Sequence, residues 1–199
     1  MIFTIERELR EGSKIMIKVL FVCHGNICRS TMAEYVMKHL VRAAGREREF
    51  YIDSAATSRE EIGNGVHYGT RRKLAEKGVA CGDHRARQMT RADYEEFDLL
   101  VGMDNANIRN MNRISGGDPE GKIYKILWFV GCDKMGSPES RRAAFWGKEE
   151  QGSGMRNGRQ GVPSGSGLCD DVADPWYTGD FEATWQDVWL GCNALMEKF

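Results

Sequence analysis

Eight consecutive residues, Cys23-His24-Gly25-Asn26-Ile27-Cys28-Arg29-Ser30, gather a thiol, a guanidinium and a hydroxyl around a glycine. Five residues separate Cys23 from Arg29, enough chain to wrap a ring of inward N–H groups into an anion-binding nest. Arg29 carries the planar fork that grips two phosphate oxygens. The Ser30 hydroxyl can donate to the Cys23 sulfur, and Gly25 and Asn26 are residue types that accept a positive φ in so tight a turn. A thiol among such dipoles and beside a guanidinium is favoured as the thiolate. The chemistry this pattern suits is attack by sulfur on phosphorus, with His24, Gly25, Asn26, Ile27, Cys28 and Arg29 as the phosphate-binding ring. A bare Cys-x5-Arg arises by chance in many proteins, and a cysteine at a strand end is often a small buried apolar residue. What makes the string specific is its place between a strand and a helix.

That place is legible in the flanks. Lys18 to Val22 is a short apolar run, as in a buried parallel strand. Thr31 to Ala44 follows with Met32, Tyr35, Val36, Leu40 and Val41 at helical spacing, and Gly45 is a stop. Strands are also expected over Phe50 to Ala55, Asp98 to Gly102 and within Ile123 to Val130. Helices are expected over Gly69 to Lys77, Thr90 to Glu96 with Thr90 as N-cap, Asp104 to Met111, and Asp180 to Phe199. Alternating strands and helices imply right-handed crossovers and an α/β domain with a parallel sheet covered on both faces. Ligands bind such sheets beyond the carboxyl ends of the strands.

The chain has 199 residues and a formal net charge of −1, enough for one domain and no bulk-charge signal for nucleic acid. No apolar run approaches a transmembrane span, and charge in the first residues interrupts any signal-peptide core. The expectation is a cytoplasmic protein without nucleic-acid or membrane partners. Seven of its 23 glycines fall between Ser137 and Gly167, a stretch without period that ends in Pro-Ser-Gly-Ser-Gly. Residues 136–168 therefore read as a long Gly-rich surface insertion. Its Arg141, Arg142, Phe145 and Trp146 form a basic-aromatic cluster that suits a partner contact or the rim of the site; a solvated excursion is the plainer reading. Cys132 and Cys169 flank the insertion, and a disulfide across its base stays open. Cys81, Cys132, Cys169 and Cys192 lack Cys-x2-Cys spacing, so no metal is expected.

The string Val19-Leu20-Phe21-Val22-Cys23-His24-Gly25-Asn26-Ile27-Cys28-Arg29-Ser30-Thr31-Met32-Ala33-Glu34 closely resembles the active-site loop of low-molecular-weight protein tyrosine phosphatases. The resemblance continues in order through Ile52-Asp53-Ser54-Ala55, His84-Arg85-Ala86-Arg87-Gln88, Met103-Asp104 with Asn107, and Asp174-Pro175-Trp176-Tyr177 followed by Gly179-Asp180-Phe181. It covers Met16 to Cys132 and Cys169 to Phe199. Residues 1–15 are then an N-terminal extension, and 16–199 a single domain interrupted by the insertion. The resemblance implies a four-stranded parallel sheet flanked by helices on both faces, and no metal or organic cofactor.

It also implies roles. Cys23 attacks phosphorus and Arg29 binds the phosphate. Asp174, next to Pro175 in an apolar Val-Ala-Asp-Pro-Trp-Tyr setting, gives the leaving oxygen its proton and then acts as base for water. Asn26, Ser30, Ser54 and His84 support the loop, Arg87 pairs with Asp53, and Asp104 is a carboxylate near the site or simply a helix N-terminal acid. Cys28 can close a reversible disulfide with Cys23 under peroxide, or be a buried filler thiol. Trp176 and Tyr177 suit stacking on an aromatic ring. Many members carry a further aromatic after Ser54, whereas this chain has Arg59-Glu60-Glu61, so one wall of the slot is missing or acidic. The expected partner is a phosphotyrosine-containing protein or a small aryl phosphate, met by a monomer. Alternatives on the same fold are arsenate reductase, which needs a further cysteine pair that Cys81 does not supply, and phosphoarginine phosphatase, which has Thr in place of Ile27. A non-catalytic phosphate-binding module is the alternative from another class.

Overall fold

In the computed structural model the described residues are 16–130 and 171–199. The extension 1–15, the insertion 136–168 with its basic-aromatic cluster, and Cys132 and Cys169 lie outside them.

Strand β1 (Ile17–Cys23) is buried at every residue except the half-buried Lys18. Its side chains alternate between two cores, as the two-residue period of a strand requires. Ile17, Val19, Phe21 and Cys23 enter one, and Leu20 and Val22 the other. Strand β2 (Phe50–Ala56) pairs along the whole of β1, from Ile17 opposite Phe50 to Cys23 opposite Ala56. Strand β3 (Leu99–Gly102) lies on the other side of β1, and β4 (Ile123–Lys125) beyond it. The order is β2-β1-β3-β4, all parallel. The order reverses at β1, so the loop leaving Cys23 opens where adjacent crossovers diverge, the usual crevice of such sheets.

One face is covered by α1 (Arg29–Ala43), α2 (Tyr68–Glu76) and the closing helix, which is numbered α6 below. The other is covered by α3 (Arg91–Glu96) and α4 (Asn105–Ser115), through Tyr94 and Met111. A single turn, α5 (Pro175–Thr178), precedes α6 (Phe181–Lys198). Helices on both faces of one four-stranded sheet agree with the expected class.

Some boundaries differ. Helix α1 opens at Arg29 rather than Thr31, because the phosphate loop runs straight into its first turn. Helix α4 continues past Met111 to Ser115 and stops at Gly116, whose φ of 83° favours glycine. The fourth strand is shorter than the apolar run: it ends at Lys125, and Ile126–Val130 forms a 3-10 turn. Ile126 is fully buried there, and a Cβ at Gly191 of α6 would lie 2.6 Å from its Cγ1. The chain leaves the sheet to pack under α6. Thr90 caps α3 as expected and forms a capping box with Asp93.

Helices α2 and α6 meet at Gly69, where a Cβ would stand 2.3 Å from Cζ of Phe181. Gly69→Ala is therefore expected to cost about 1–3 kcal/mol, as overpacking does in a tight core. Thermal melts of the parent and variant check it, and an unchanged midpoint would mean that the ring yields freely.

Candidate active site

The loop Cys23–Ser30 turns on Asn26, whose φ is +58°; among the described residues it is the non-glycine residue with positive φ. Asparagine tolerates that region better than most residues. Its side chain then holds the turn from inside. Nδ2 donates to Ser30 Oγ at 3.0 Å and to Ser54 Oγ at 2.8 Å, and Oδ1 accepts from the Arg87 N–H at 3.2 Å. The Asn26 carbonyl meets His84 Nε2 at 2.8 Å. Ser54 Oγ passes the network on to Glu34 Oε2 at 2.5 Å. The expected supports Asn26, Ser30, Ser54 and His84 are thus brought together. Glu34, a buried carboxylate that also pairs with Lys38, completes them without any signal in the sequence.

Cys23 is 3% exposed and lines the cleft. Its sulfur lies 3.1 Å from Ser30 Oγ and accepts from the Asn26 N–H at 3.3 Å. Both donors stabilise a negative sulfur. Cys28 N-caps α1 without a side-chain bond to the helix's first N–H groups, and its carbonyl accepts from Met32 N and Thr31 Oγ1, each at 2.9 Å. Burial pushes the Cys28 thiol up to about 12, and the charge of Cys23 adds to that rise.

Arg29 is buried and held at both tips. NH1 donates to Asp104 Oδ2 at 2.6 Å, and NH2 meets Asp174 Oδ2 at 2.5 Å. Burial opposes its charge, but Cys23, Asp174 and Asp104 overcome this and raise its pKa above the ordinary value. Asp104 fills both roles left open for it: Oδ1 caps α4 by accepting from Asn107 N at 2.6 Å while Oδ2 holds the arginine. Asp174 does not have the apolar surround that its neighbours in sequence suggest. It caps α5, accepting from Trp176 N at 3.1 Å, and turns its other oxygen onto the guanidinium. Pro175 takes the first position of that turn, where its missing N–H costs nothing.

The cleft has a volume of about 580 Å³ with its open mouth included. Cys23, Cys28 and Arg29 line it together with Asp174, Trp176 and Tyr177 and with Glu60 and Glu61 from the loop after β2. Trp176 and Tyr177 are 61% and 85% exposed. Glu60 Oε2 pairs with His24 Nε2 at 3.1 Å, and Glu61 Oε2 accepts from Asn64 Nδ2 at 2.6 Å. The wall after β2 is therefore acidic rather than missing. Glu61 joins Glu60 there, and Arg59 is exposed outside the lining. Away from the cleft, Arg87 reaches Asp53 at 2.8 Å and Asp93 at 2.9 Å, the structural bridge that was expected. Among the described residues, no group of three or more His, Cys, Asp and Glu is placed to hold a metal ion.

A parallel α/β sheet with a Cys-x5-Arg anion loop at its switch point, and a carboxylate closing over the arginine, is an arrangement suited to holding a phosphate ester beside a thiol. Comparison with known proteins narrows the reading. The family model described as low molecular weight phosphotyrosine protein phosphatase matches residues 18–137. The low molecular weight phosphotyrosine protein phosphatase of Rattus norvegicus is 45% identical over 189 residues, which cover 94% of this chain and 96% of that protein. The low molecular weight protein-tyrosine-phosphatase YfkJ of Bacillus subtilis is 32% identical over 181 residues, covering 91% and 94%. The crystal structure of YfkJ superposes with a TM-score of 0.72 over 94% of this chain and 96% of that one. The chain belongs to the low molecular weight phosphotyrosine protein phosphatase family.

Proposed function

We propose that this hydrolase cleaves phosphotyrosine and other aryl phosphate monoesters through a phosphocysteine. Cys23 is the nucleophile, Arg29 the phosphate clamp, and Asp174 the acid and then the base. The observation that carries the reading is the convergence of the Cys23 sulfur, the Arg29 fork and the Asp174 carboxylate on one cleft.

The ester's phosphate enters the ring His24 to Arg29, where inward N–H groups and the start of α1 favour an anion. Two of its oxygens take the Arg29 fork. The arginine keeps Asp104 and gives up Asp174, which takes a proton from solvent as it leaves the ion pair and then faces the ester oxygen at the mouth. The Cys23 thiolate attacks phosphorus in line. The S–P bond forms, the P–O bond to the phenol breaks, and Asp174 gives its proton to the departing oxygen. A water then attacks phosphorus while Asp174 takes its proton. The S–P bond breaks, and thiolate and inorganic phosphate are restored. No cofactor takes part.

Trp176 and Tyr177 offer faces to the substrate ring, and Glu60 with Glu61 gives the wall after β2 a negative charge. Proteins carrying phosphotyrosine and small aryl phosphates are the substrates of this reading. All the catalytic groups come from one chain, as a monomer requires. The four cysteines of the described residues are free, and Cys23 must be reduced to act, which suits the cytoplasm. Among the described residues no helix is long and apolar enough to cross a membrane. Residues 136–168 remain, in this reading, an insertion in a domain spanning 16–199, with 1–15 an extension.

A panel of phosphotyrosine, phosphoarginine and arsenate tests the activity. Turnover is expected on phosphotyrosine, with phosphoarginine and arsenate far behind. Preference for phosphoarginine or arsenate would replace the reading by that activity, and phosphate binding without turnover on any of them would make the chain a binding module.

Cys28 sits in the same ring as Cys23, and the two are proposed to close a disulfide when Cys23 is oxidised by peroxide, sparing it the higher oxidation states. A thiol reductant should then restore the parent enzyme but recover much less of Cys28→Ala. Because burial pushes the Cys28 thiol up to about 12, the attacking thiolate becomes more populated as pH rises towards that value. Protection should therefore be better at pH 8.5 than at pH 6.5. Equal recovery of parent and variant would refute the role.

A further inference from the structure

His67 does not line the cleft, yet it touches both halves of the site. Its backbone N–H donates to the Ile27 carbonyl of the phosphate loop at 2.9 Å. Its ring N-caps α2, with Nδ1 accepting from Gly69 N at 3.2 Å, which fixes the ring's direction. That ring stacks on Phe181 at 5.4 Å with planes 9° apart, and meets Trp176 edge-on at 6.1 Å. Phe181 opens α6, and the next residue, Glu182, is held by Lys73 of α2 and by Lys77 just past its end, at 2.9 and 3.0 Å. Trp176 in turn presents its N–H to Asp174 Oδ1 at 3.1 Å. A continuous set of contacts thus runs from the phosphate loop, through one imidazole, to the backbone donor on the acid.

The acid loop needs such support. Helix α5 is four residues long and has no stability of its own. Upstream of Asp174 the chain is held by Val172 N on the Met103 carbonyl at 2.9 Å, by Ala173 N on Asp187 at 3.1 Å, and by Thr184 Oγ1 on the Ala173 carbonyl at 2.9 Å. Downstream, the exposed Trp176 and Tyr177 carry the loop on, and the His67 ring is the surface that Trp176 meets. We propose that His67 is a positioning residue that sets the acid loop against the phosphate loop and so aims Asp174 at the leaving oxygen. The proposal rests on the reading of Asp174 as the acid.

If His67 acts through Asp174, its loss should be felt where the proton matters. The test measures kcat/KM, which reports the steps up to release of the phenol, for phenyl phosphate, a poor leaving group, and p-nitrophenyl phosphate, a good one, together with inhibition by inorganic phosphate. The proteins are the parent, His67→Ala, His67→Phe, Asp174→Ala and the double variant His67→Ala/Asp174→Ala. His67→Ala is expected to lower kcat/KM about ten-fold on phenyl phosphate, since small misplacements of a catalytic group are costly, and much less on p-nitrophenyl phosphate. His67→Phe, which keeps a ring against Phe181 and Trp176, should recover most of the loss. Phosphate inhibition should hold, and His67→Ala should do nothing further on phenyl phosphate once Asp174 is Ala. The ratio between the two substrates is measured within each protein, so a partly unfolded variant does not disturb it. Equal losses on both substrates, or the same loss with Asp174 already removed, would overturn the proposal. An Asp174→Ala variant that does not distinguish the two leaving groups would instead sink the acid assignment, and the positioning role with it.

Discussion

Cys23→Ser is expected to bring aryl phosphate turnover down by at least about 10⁴-fold while inorganic phosphate still binds. A serine hydroxyl is nearly the size of the thiol, and it can accept from the same two donors, Ser30 Oγ and the Asn26 N–H. The turn itself is also held by the Asn26 side chain on Ser30 and Ser54 and by His84 on the Asn26 carbonyl, bonds that do not involve the sulfur. The ring and the Arg29 fork therefore persist, and binding with them. What is lost is the nucleophile, because an alcohol in this site has no adjacent base to take its proton. Steady-state turnover of p-nitrophenyl phosphate and calorimetric titration with phosphate measure the two halves. Residual turnover near the parent's would remove Cys23 from the mechanism, and lost phosphate binding would mean that the sulfur holds the loop together.

Asp174→Ala should lower kcat/KM by roughly 10²–10⁴-fold for phenyl phosphate, the range of a positioned general acid, and far less for p-nitrophenyl phosphate. Because Asp174 also caps α5, Asp174→Asn is the companion variant: its side-chain oxygen can still accept from Trp176 N, but it has no proton to give as an acid. The two should lose alike. A loss confined to Ala would trace the effect to the cap. A second consequence follows from the ion pair. In the resting site Asp174 sits on Arg29 NH2 at 2.5 Å, where a phosphate oxygen must go. Removing it removes both a competitor and a negative charge at the mouth, so phosphate should bind about 3–10-fold more tightly to either variant. Unchanged or weaker phosphate binding would show that the carboxylate does not compete for the fork.

The Arg29–Asp174 pair also marks where reading the sequence runs out. Asp174 stands far along the chain from Cys23, beyond residues 131–170, and only the order of motifs in a resemblance pointed to it. Its sequence neighbours suggested an apolar surround; the charge that pairs with it, Arg29, comes from α1. Asp104 was visible as a carboxylate after a strand, but its second contact, Arg29 at 75 residues' separation, was not. His67 gave no signal at all. A lone histidine before a helix looks like any cap, and its worth lies in Ile27, Phe181 and Trp176, which come from two other parts of the chain. Similarly, Ile123 to Val130 is one apolar run, and nothing local says that the strand must end at Lys125 for Ile126 to meet Gly191.

By contrast, the anion loop could be read directly. A β-strand of Lys18 to Val22, a turn that needs a residue at ease with positive φ, and a helix start are written in consecutive residues, and the bonds that shape them are short-range. The amino-acid order alone therefore carried the strand–loop–helix unit, the thiol at its start and the guanidinium at its end. The partners of that guanidinium, the acidic wall of the cleft and the ring that braces the acid loop came only with the packed chain. Distant segments are brought together by burying apolar faces, which many sequences satisfy equally well, so no single residue announces which charge will end up opposite which.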